Sequence, residues 1–546
     1  MKLGRLVRVA VAMGLCVGTG AAAAGSAHAA SSHALIQGSG SSWSANAMNQ
    51  WIADVQANGL QVVFTASGSA QGRKDFGYRT SDFAVTEIGY RGTDPLTGDA
   101  DTAQGRDYAY LPIVSGGTSF PYQVRVRGQL VRNLRLSGRT LALIFTNQVT
   151  DWSDPAITAD NNGRALPSLP IIPVVHSEGS GSSAHFTDYL DKQYPDIWRP
   201  FAGHAGLTEY YPRKGNAIAQ SGSDGVMNFI ASSAANGAIG YDEYSYALGK
   251  NYPVAKVGNA AGYFTLPSQF NVAVALTQAI INEDKSSPDY LLQDLTQVYK
   301  YSDPRTYPLS SYSYFVVPTA ADDQKMTTAK RQTMADFLYY SICDGQKEMG
   351  PIGYSPLPIN LVQAGFEQIG KLHDADGNVD LTSRDVSTCH NPTFVAGQPD
   401  RNYLAEVAPQ PPACDASGAG PCADAAAGRG DALTAAIAAG QSSTNPTGGG
   451  GAARATAAGT GANGVGSTGT SALNEVALPT AADGTVAPTT GVGSRTGSAD
   501  RPAGIVPVLA GATTHLFGAL SILLLLAVVL TPTVLPRLLR RRREEA

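Results

Sequence analysis

Between residues 32 and 395 the chain alternates two apolar rhythms, short apolar runs bounded by Gly, Pro, Asn and Asp, and longer stretches with apolar positions three and four apart. Residues 60–64, around Val62, Val63 and Phe64, read as a strand. Residues 141–145 fit a short helix or strand. Residues 171–175 read as a buried strand, followed by a Gly/Ser turn and a helical stretch to Leu190. Residues 237–241 read as another strand and 273–282 as a helix. Strands alternating with helices predict an α/β architecture.

The pattern changes at both ends. Lys2, Arg5 and Arg8 precede an apolar stretch from Val9 to about Thr19, and Ala27-His28-Ala29 supplies small residues, so residues 1–29 read as a signal peptide. Residues 396–505 are rich in Ala, Gly, Ser and Thr and nearly lack aromatic residues. Such a segment buries too little apolar surface to offset its chain entropy, and reads as a disordered linker. About 100 residues of random coil span roughly 55 Å. Within it, 432–439 fit a short helix. Residues 506–536 contain an apolar run long enough to cross a bilayer, and Arg537, Arg540, Arg541, Arg542 and Arg543 mark residues 537–546 as a cytoplasmic tail. The body is then exported, on the extracellular face of the cell membrane, and held there by a C-terminal transmembrane helix.

Composition narrows the function. The 546-residue chain is only 15% charged, with a formal net charge of −5 and no basic face before the tail, which excludes nucleic acid as a partner. Cys343, Cys389, Cys414 and Cys422 are an even set in an oxidising compartment and predict two disulfides. Of the three pairings open to them, Cys343 with Cys389 and Cys414 with Cys422 is the expected one. No Cys-x-x-Cys or His cluster suggests a metal, and no cofactor motif is present.

The chemistry lies in three strand–Ser/Gly–helix junctions. Glu178-Gly179-Ser180-Gly181-Ser182-Ser183 follows one strand and opens a helical stretch. Gly38-Ser39-Gly40-Ser41-Ser42-Trp43 precedes a helical stretch through Met48 and Trp51. Ala66-Ser67-Gly68-Ser69-Ala70-Gln71-Gly72 follows the strand at 60–64 and precedes another helix. Small residues let backbone approach a ligand, while amide N–H groups and the positive end of a helix dipole favour an anion. Serine hydroxyls add neutral donors. An ordinary helix cap explains one such junction; three in one domain can converge on one anion. Ser180 lacks the flanking glycine pattern of a nucleophile elbow, and His185 and Asp188 sit one turn apart on the following helix, so no enzyme is expected.

In order and wording these segments resemble the PstS-type phosphate-binding proteins of ABC phosphate importers, over most of residues 35–361. Gly38 to Trp43 is similar to that family's opening loop and Val63 to Gly72 to its second. Asp82-Phe83-Ala84-Val85-Thr86-Glu87 is similar to its Asp-Phe-Gly-x-Ser-Asp segment. Residues 141–155, with Trp152 and Asp154, resemble a further signature. Gly179 to Ser183 resembles the Gly-Ser-Gly-Thr-Ser loop, and Gly237-Ala238-Ile239-Gly240-Tyr241-Asp242-Glu243-Tyr244 a strand and turn. The resemblance implies a periplasmic-binding-protein-like, type II fold of two α/β lobes, at about 33–113 with 251–395 and at about 114–250, with the ligand in an interlobe cleft across 30–395. It implies inorganic phosphate or a similar tetrahedral oxyanion as ligand and ABC phosphate permease subunits as partners. By the same resemblance Ser42, the Trp43 amide, Ser69, Ser180, Gly181 and Ser182 are the oxyanion donors.

Two positions depart from the family. Glu87 stands where the family has an Asp that accepts the ligand's proton, and is one methylene longer. His176 stands where the family has Arg, with Glu178 two residues on. A His is charged only when its surroundings favour the proton, whereas Arg is always charged, so Glu87 and His176 join the expected ligand-binding residues, His176 as a weaker, pH-sensitive contact. Arg73 and Lys74 are the candidates to replace that charge. The alternative function is a surface structural or sensory protein that retains the fold with weak or no phosphate binding.

Overall fold

The computed structural model describes residues 33–93, 98, 100–395, 397–398 and 401–422. The first lobe opens with β1 (Ile36–Gly40), α1 (Ala45–Gln56), β2 (Val62–Thr65), α2 (Ser69–Gly77) and β3 (Phe83–Thr86). β1 pairs in parallel with β2 and with β3, in a register that sets Gly38 opposite Phe83 and Gly40 opposite Val85. Parallel pairing requires crossovers, and α1 and α2 supply them. The chain then runs into β4 (Tyr108–Ser119), twelve residues buried almost end to end. Unbroken burial follows from covering both faces of the sheet, which explains why the strand shows no alternation.

The second lobe is built on β5 (Ile172–His176), α3 (Gly181–Gln193), β6 (Ile218–Gln220), α4 (Gly222–Ile230), β7 (Ala238–Gly240) and β8 (Asp242–Glu243). β5 lies between β6 and β7 in a three-stranded parallel sheet. The chain returns through β9 (Ser310–Pro318), which runs antiparallel to β4 along its length. The first sheet has the order β8-β4-β9-β3-β1-β2. β4 and β9 are therefore the two long strands shared by the lobes, since β8 of the second lobe pairs with Thr118 and Ser119 at the far end of β4.

Each lobe carries its own aromatic packing. Phe83 stacks on Phe315 at 4.2 Å between ring centroids in the first. In the second, Phe186 packs edge-on against Phe120 and Phe145 at 5.2 and 5.0 Å, with Tyr241 alongside. Such pairs add about 0.5–1.5 kcal/mol each beyond the area they bury.

The strands expected at 60–64, 171–175 and 237–241 and the helix running to Leu190 all form, each within a few residues of the expected bounds. Residues 141–145 belong to a helix, Gly138–Phe145, capped by the Ser137 side chain on Thr140 N. The helix expected over 273–282 is instead Gln269–Leu276, and Ile280–Ile281 pairs with Gln293–Asp294 as a short hairpin. Two β-branched residues beside a pairing strand favour the extended state there.

Both expected disulfides, Cys343–Cys389 and Cys414–Cys422, are present. The linker expected from residue 396 begins too early, because residues 401–422 pack on the body. The helix Tyr403–Val407 buries Leu404 against Phe270, Ala273 and Val274. Lys256 pairs with Asp415 at 2.5 Å, and Arg305 donates to the Ala405 carbonyl at 3.0 Å. Low aromatic content hid this clip, whose anchors are one leucine, one ion pair and one disulfide. Among the described residues no helix is long and apolar enough to cross a membrane. The expected signal peptide, the short helix at 432–439, the spanning segment at 506–536 and the tail lie outside the described residues.

Candidate functional site

The three Ser/Gly junctions do converge. At the first, β1 ends on Gly40, whose φ of +141° lets the chain turn against the Val85 carbonyl before α1. At the second, Gly68 caps α2 with φ +93°, so that Ser69 is the first residue of that helix. At the third, Ser180 is the N-cap of α3. The first two junctions belong to one lobe and the third to the other. They meet where Ala70 N donates to the Gly179 carbonyl at 3.1 Å.

The side chain at the meeting point is Glu87, one residue beyond β3 and 1% exposed. Its Oε1 accepts from Ser41 Oγ, from Ser44 Oγ at 3.0 Å and from Ser313 Oγ at 3.0 Å. Its Oε2 accepts from Ser69 Oγ at 2.5 Å. Ser69 Oγ in turn accepts from the Gly181 amide at 3.1 Å. A β-carbon built on Gly181 would stand 1.8 Å from Glu87 Oε2, so only glycine fits there. The carboxylate thus sits among the N-termini of α1, α2 and α3, held by four serine hydroxyls. No Arg, Lys or His pairs with it among the described residues. Neutral donors and helix dipoles carry the anion, each dipole worth about 0.3–1 kcal/mol at the first turn.

The other predicted donors are placed around this centre but turned elsewhere. Ser42 Oγ accepts from Ser223 N at 3.1 Å and Ser223 Oγ at 3.0 Å, joining the first lobe to the start of α4. Trp43 is core, edge-on to Tyr354 at 5.7 Å, and its carbonyl accepts from the Tyr354 hydroxyl. Ser180 and Ser182 are buried at the start of α3, and Ser182 Oγ has no hydrogen-bond partner. Ser41, Ser44 and Ser313 were not singled out from the sequence. Ser41 and Ser44 lie in and just after the first Ser/Gly junction. Ser313 is legible only once β9 is known to run beside β3.

His176, at the end of β5, faces Glu178 rather than Glu87. Its Nδ1 lies 2.8 Å from Glu178 Oε1 and its Nε2 3.3 Å from the Tyr241 carbonyl. Both partners are acceptors, a geometry that suits a ring protonated on both nitrogens. Burial alone would lower its pKa, but the hydrogen bond and charge of Glu178, then Asp242 and the Tyr241 carbonyl, raise it above the usual value. Burial pushes Glu178 up, and the hydrogen bond and charge of His176 with the Gly222 amide bring it below the usual carboxylate range. Asp242, also fully buried, is pushed up to about 7 by that burial.

Arg73 does not replace the missing charge. Its guanidinium is fully buried and donates to Asp101, to Thr86 Oγ1 at 2.8 Å and to Glu209 Oε2 at 2.5 Å. Glu209 belongs to the second lobe, so this is an ion pair across the cleft. His185 and Asp188 are engaged separately, His185 beside Gln293 and Asp188 with the Tyr299 hydroxyl at 2.8 Å. Burial, with Lys192 nearby, pushes the His185 imidazole down to about 4. A cavity of about 260 Å³ adjoins the centre, its lining including Glu87, Arg91, His185, Lys192 and Gln293.

Residues 22–345 match the model of the PBP superfamily domain. The phosphate-binding protein PstS2 of Mycobacterium bovis is 30% identical over 330 residues, covering 59% of this chain and 83% of that protein. A phosphate-binding protein PstS of Xylella fastidiosa is 29% identical over 329 residues, covering 60% of this chain and 83% of that protein. Among solved structures, a high-affinity periplasmic phosphate-binding protein bound with phosphate aligns at a TM-score of 0.48 and 20% identity, covering 63% of this chain and 99% of that one.

Proposed function

The chain belongs to the PBP superfamily and, within it, to the PstS family of its relatives, and from that membership we propose that it is a binding protein for a small tetrahedral oxyanion, inorganic phosphate first. It is a substrate-binding protein rather than an enzyme, and delivers its ligand to an ABC phosphate permease. One observation carries the reading. Serine hydroxyls and three helix N-termini, drawn from both lobes, close around a single buried anionic group. The donors to that group are Ser41, Ser44, Ser69 and Ser313, with the Gly181 amide bonded to Ser69 and with Ser42, Trp43, Ser180 and Ser182 at the border. In this reading the signal peptide exports the chain, and the apolar segment at 506–536 tethers it to the membrane through a linker that starts after residue 422.

The experiment is isothermal titration of the full chain with phosphate, sulfate and arsenate. Saturable heat with phosphate and arsenate is expected; silence with all three removes the oxyanion reading. A second reading, a surface structural or sensory protein with weak binding, is favoured by two observations. Glu87 stands in the donor set itself, and His176, at the position where the family has Arg, is committed to Glu178. Under that reading a strain lacking the protein takes up phosphate at the normal rate.

A further inference from the structure

We propose that the Glu87 carboxylate is a tethered occupant of the anion seat, a competitor built into the chain that sets how tightly the cleft takes an oxyanion. The proposal rests on the oxyanion reading above. Its ground is the way the two carboxylate oxygens are held. Oε1 faces three hydroxyls, those of Ser41, Ser44 and Ser313; Oε2 takes the Ser69 hydroxyl and lies against the α-carbon of Gly181. Ser69 links that oxygen to the Gly181 amide of the other lobe. The group therefore bridges the lobes as a ligand would, from one side chain of the first lobe, and is as buried as the core.

Each serine hydroxyl has one proton to donate and those of Ser41, Ser44, Ser69 and Ser313 are directed at Glu87, so an oxyanion that takes these donors displaces the carboxylate. A destination lies alongside. The cavity of about 260 Å³ is lined by Glu87 itself, by the cations Arg91 and Lys192, and by Asp188, Asp289 and Asp294. Lys192 is pairing there with Asp188 and Asp294, and Arg91 donates to the Leu207 carbonyl. A carboxylate turned toward them exchanges neutral donors for cations. Glutamate length is what makes the occupation reach Gly181. Shortening the side chain by one methylene withdraws the charge by roughly 1.5 Å.

Population arithmetic sets the size of the effect. Where the occupant holds the seat about nine-tenths of the time, apparent affinity for an external ligand falls about tenfold. The test compares full-length wild type with Glu87→Asp and Glu87→Ala by phosphate titration, and measures melting of each in sodium acetate and in sodium chloride of equal ionic strength. Glu87→Asp is expected to bind phosphate up to about tenfold more tightly than wild type. Glu87→Ala leaves the four hydroxyls without their carboxylate, and acetate is expected to raise its melting temperature saturably while leaving wild type unmoved. If wild type binds phosphate and both variants bind it equally or more weakly, the competitor role is overturned and the oxyanion reading stands. If acetate stabilises Glu87→Ala but no form binds phosphate or arsenate, the oxyanion reading falls and Glu87 is a structural carboxylate. The acetate arm uses a different variant, so a misfolded Glu87→Asp chain leaves the test decisive.

Discussion

The ion pair between Arg73 and Glu209 is a buried charged contact that ties one lobe to the other at the cleft, and Glu209→Gln isolates it. Arg73, Thr86 and Asp101 all belong to the first lobe, and Arg73 keeps both of those partners when Glu209 is neutralised. What disappears is the charge on the one partner from the second lobe, at 2.5 Å and nearly fully buried. A hydrogen bond to a charged group contributes about 1.5–3 kcal/mol net. Glu209 sits under opposing influences, since burial pushes its pKa up while Arg73 pulls it back, so the lower half of that range is the better figure. A loss of about 2 kcal/mol moves the ratio of closed to open molecules by about thirty-fold. The assay is the interlobe distance distribution from paired spin labels, one on each lobe, with urea unfolding run in parallel. The variant is expected to gain an open population while its secondary structure is retained. Arg73→Met is the contrast, because it leaves Glu209 and Asp101 buried without their cation and costs about 3–5 kcal/mol of fold stability. An unchanged distance distribution in Glu209→Gln refutes the clasp.

Three further outcomes follow from the same geometry. The raised pKa of His176 makes its ion pair with Glu178 a source of stability present below the ordinary imidazole value and lost as pH rises through the folded one, while the depressed pKa of Glu178 sets the acid limit. The stability gap between wild type and His176→Gln, from thermal melts across pH, is therefore widest near about pH 5–6 and narrows in alkali. Asp242, pushed up to about 7, favours the fold in acid and loses that contribution as pH climbs toward 7, so Asp242→Asn melts higher than wild type at pH 8 and gains less at pH 5. Leu404→Ala empties a site walled by Phe270, Ala273 and Val274 and costs about 2–4 kcal/mol, seen as proteolysis confined to residues 401–422 before the body unfolds.

Strand and helix order was legible because each element announces itself locally. Val62 to Phe64 and Ile172 to Val175 are β-rich runs, and Ser/Gly turns mark where helices begin. The anion donors were legible where they precede a helix, as Ser69 and Gly181 do, since the signal is the junction itself. Ser313 was not, because it contributes through strand register, a long-range property that composition does not encode. Nor could the sequence say that Glu87 would enter the seat. One extra methylene is a small change on paper and a large one beside a glycine with no room for a β-carbon. His176 was read as a weaker anion contact and is instead the partner of Glu178, because the ring at the end of β5 is aimed by Tyr241 and Glu178 rather than by the cleft. The clip at 401–422 was hidden by its Ala- and Pro-rich composition, which masks a few anchors of high local value.

That clip decides how force enters the molecule. Cys422 is covalently looped to Cys414, its carbonyl is held by Asn133 at 2.8 Å, and the Cys414 carbonyl by Arg135 at 3.1 Å. A pull applied to the chain beyond residue 422 is borne first by that covalent loop and by contacts to residues 133–135 and 256, not by the long helix Ile359–Ala375. The load is taken up by a disulfide-closed loop instead of peeling a helix turn by turn. Under the proposed C-terminal anchoring, the binding body would stay intact while the chain beyond residue 422 is tugged.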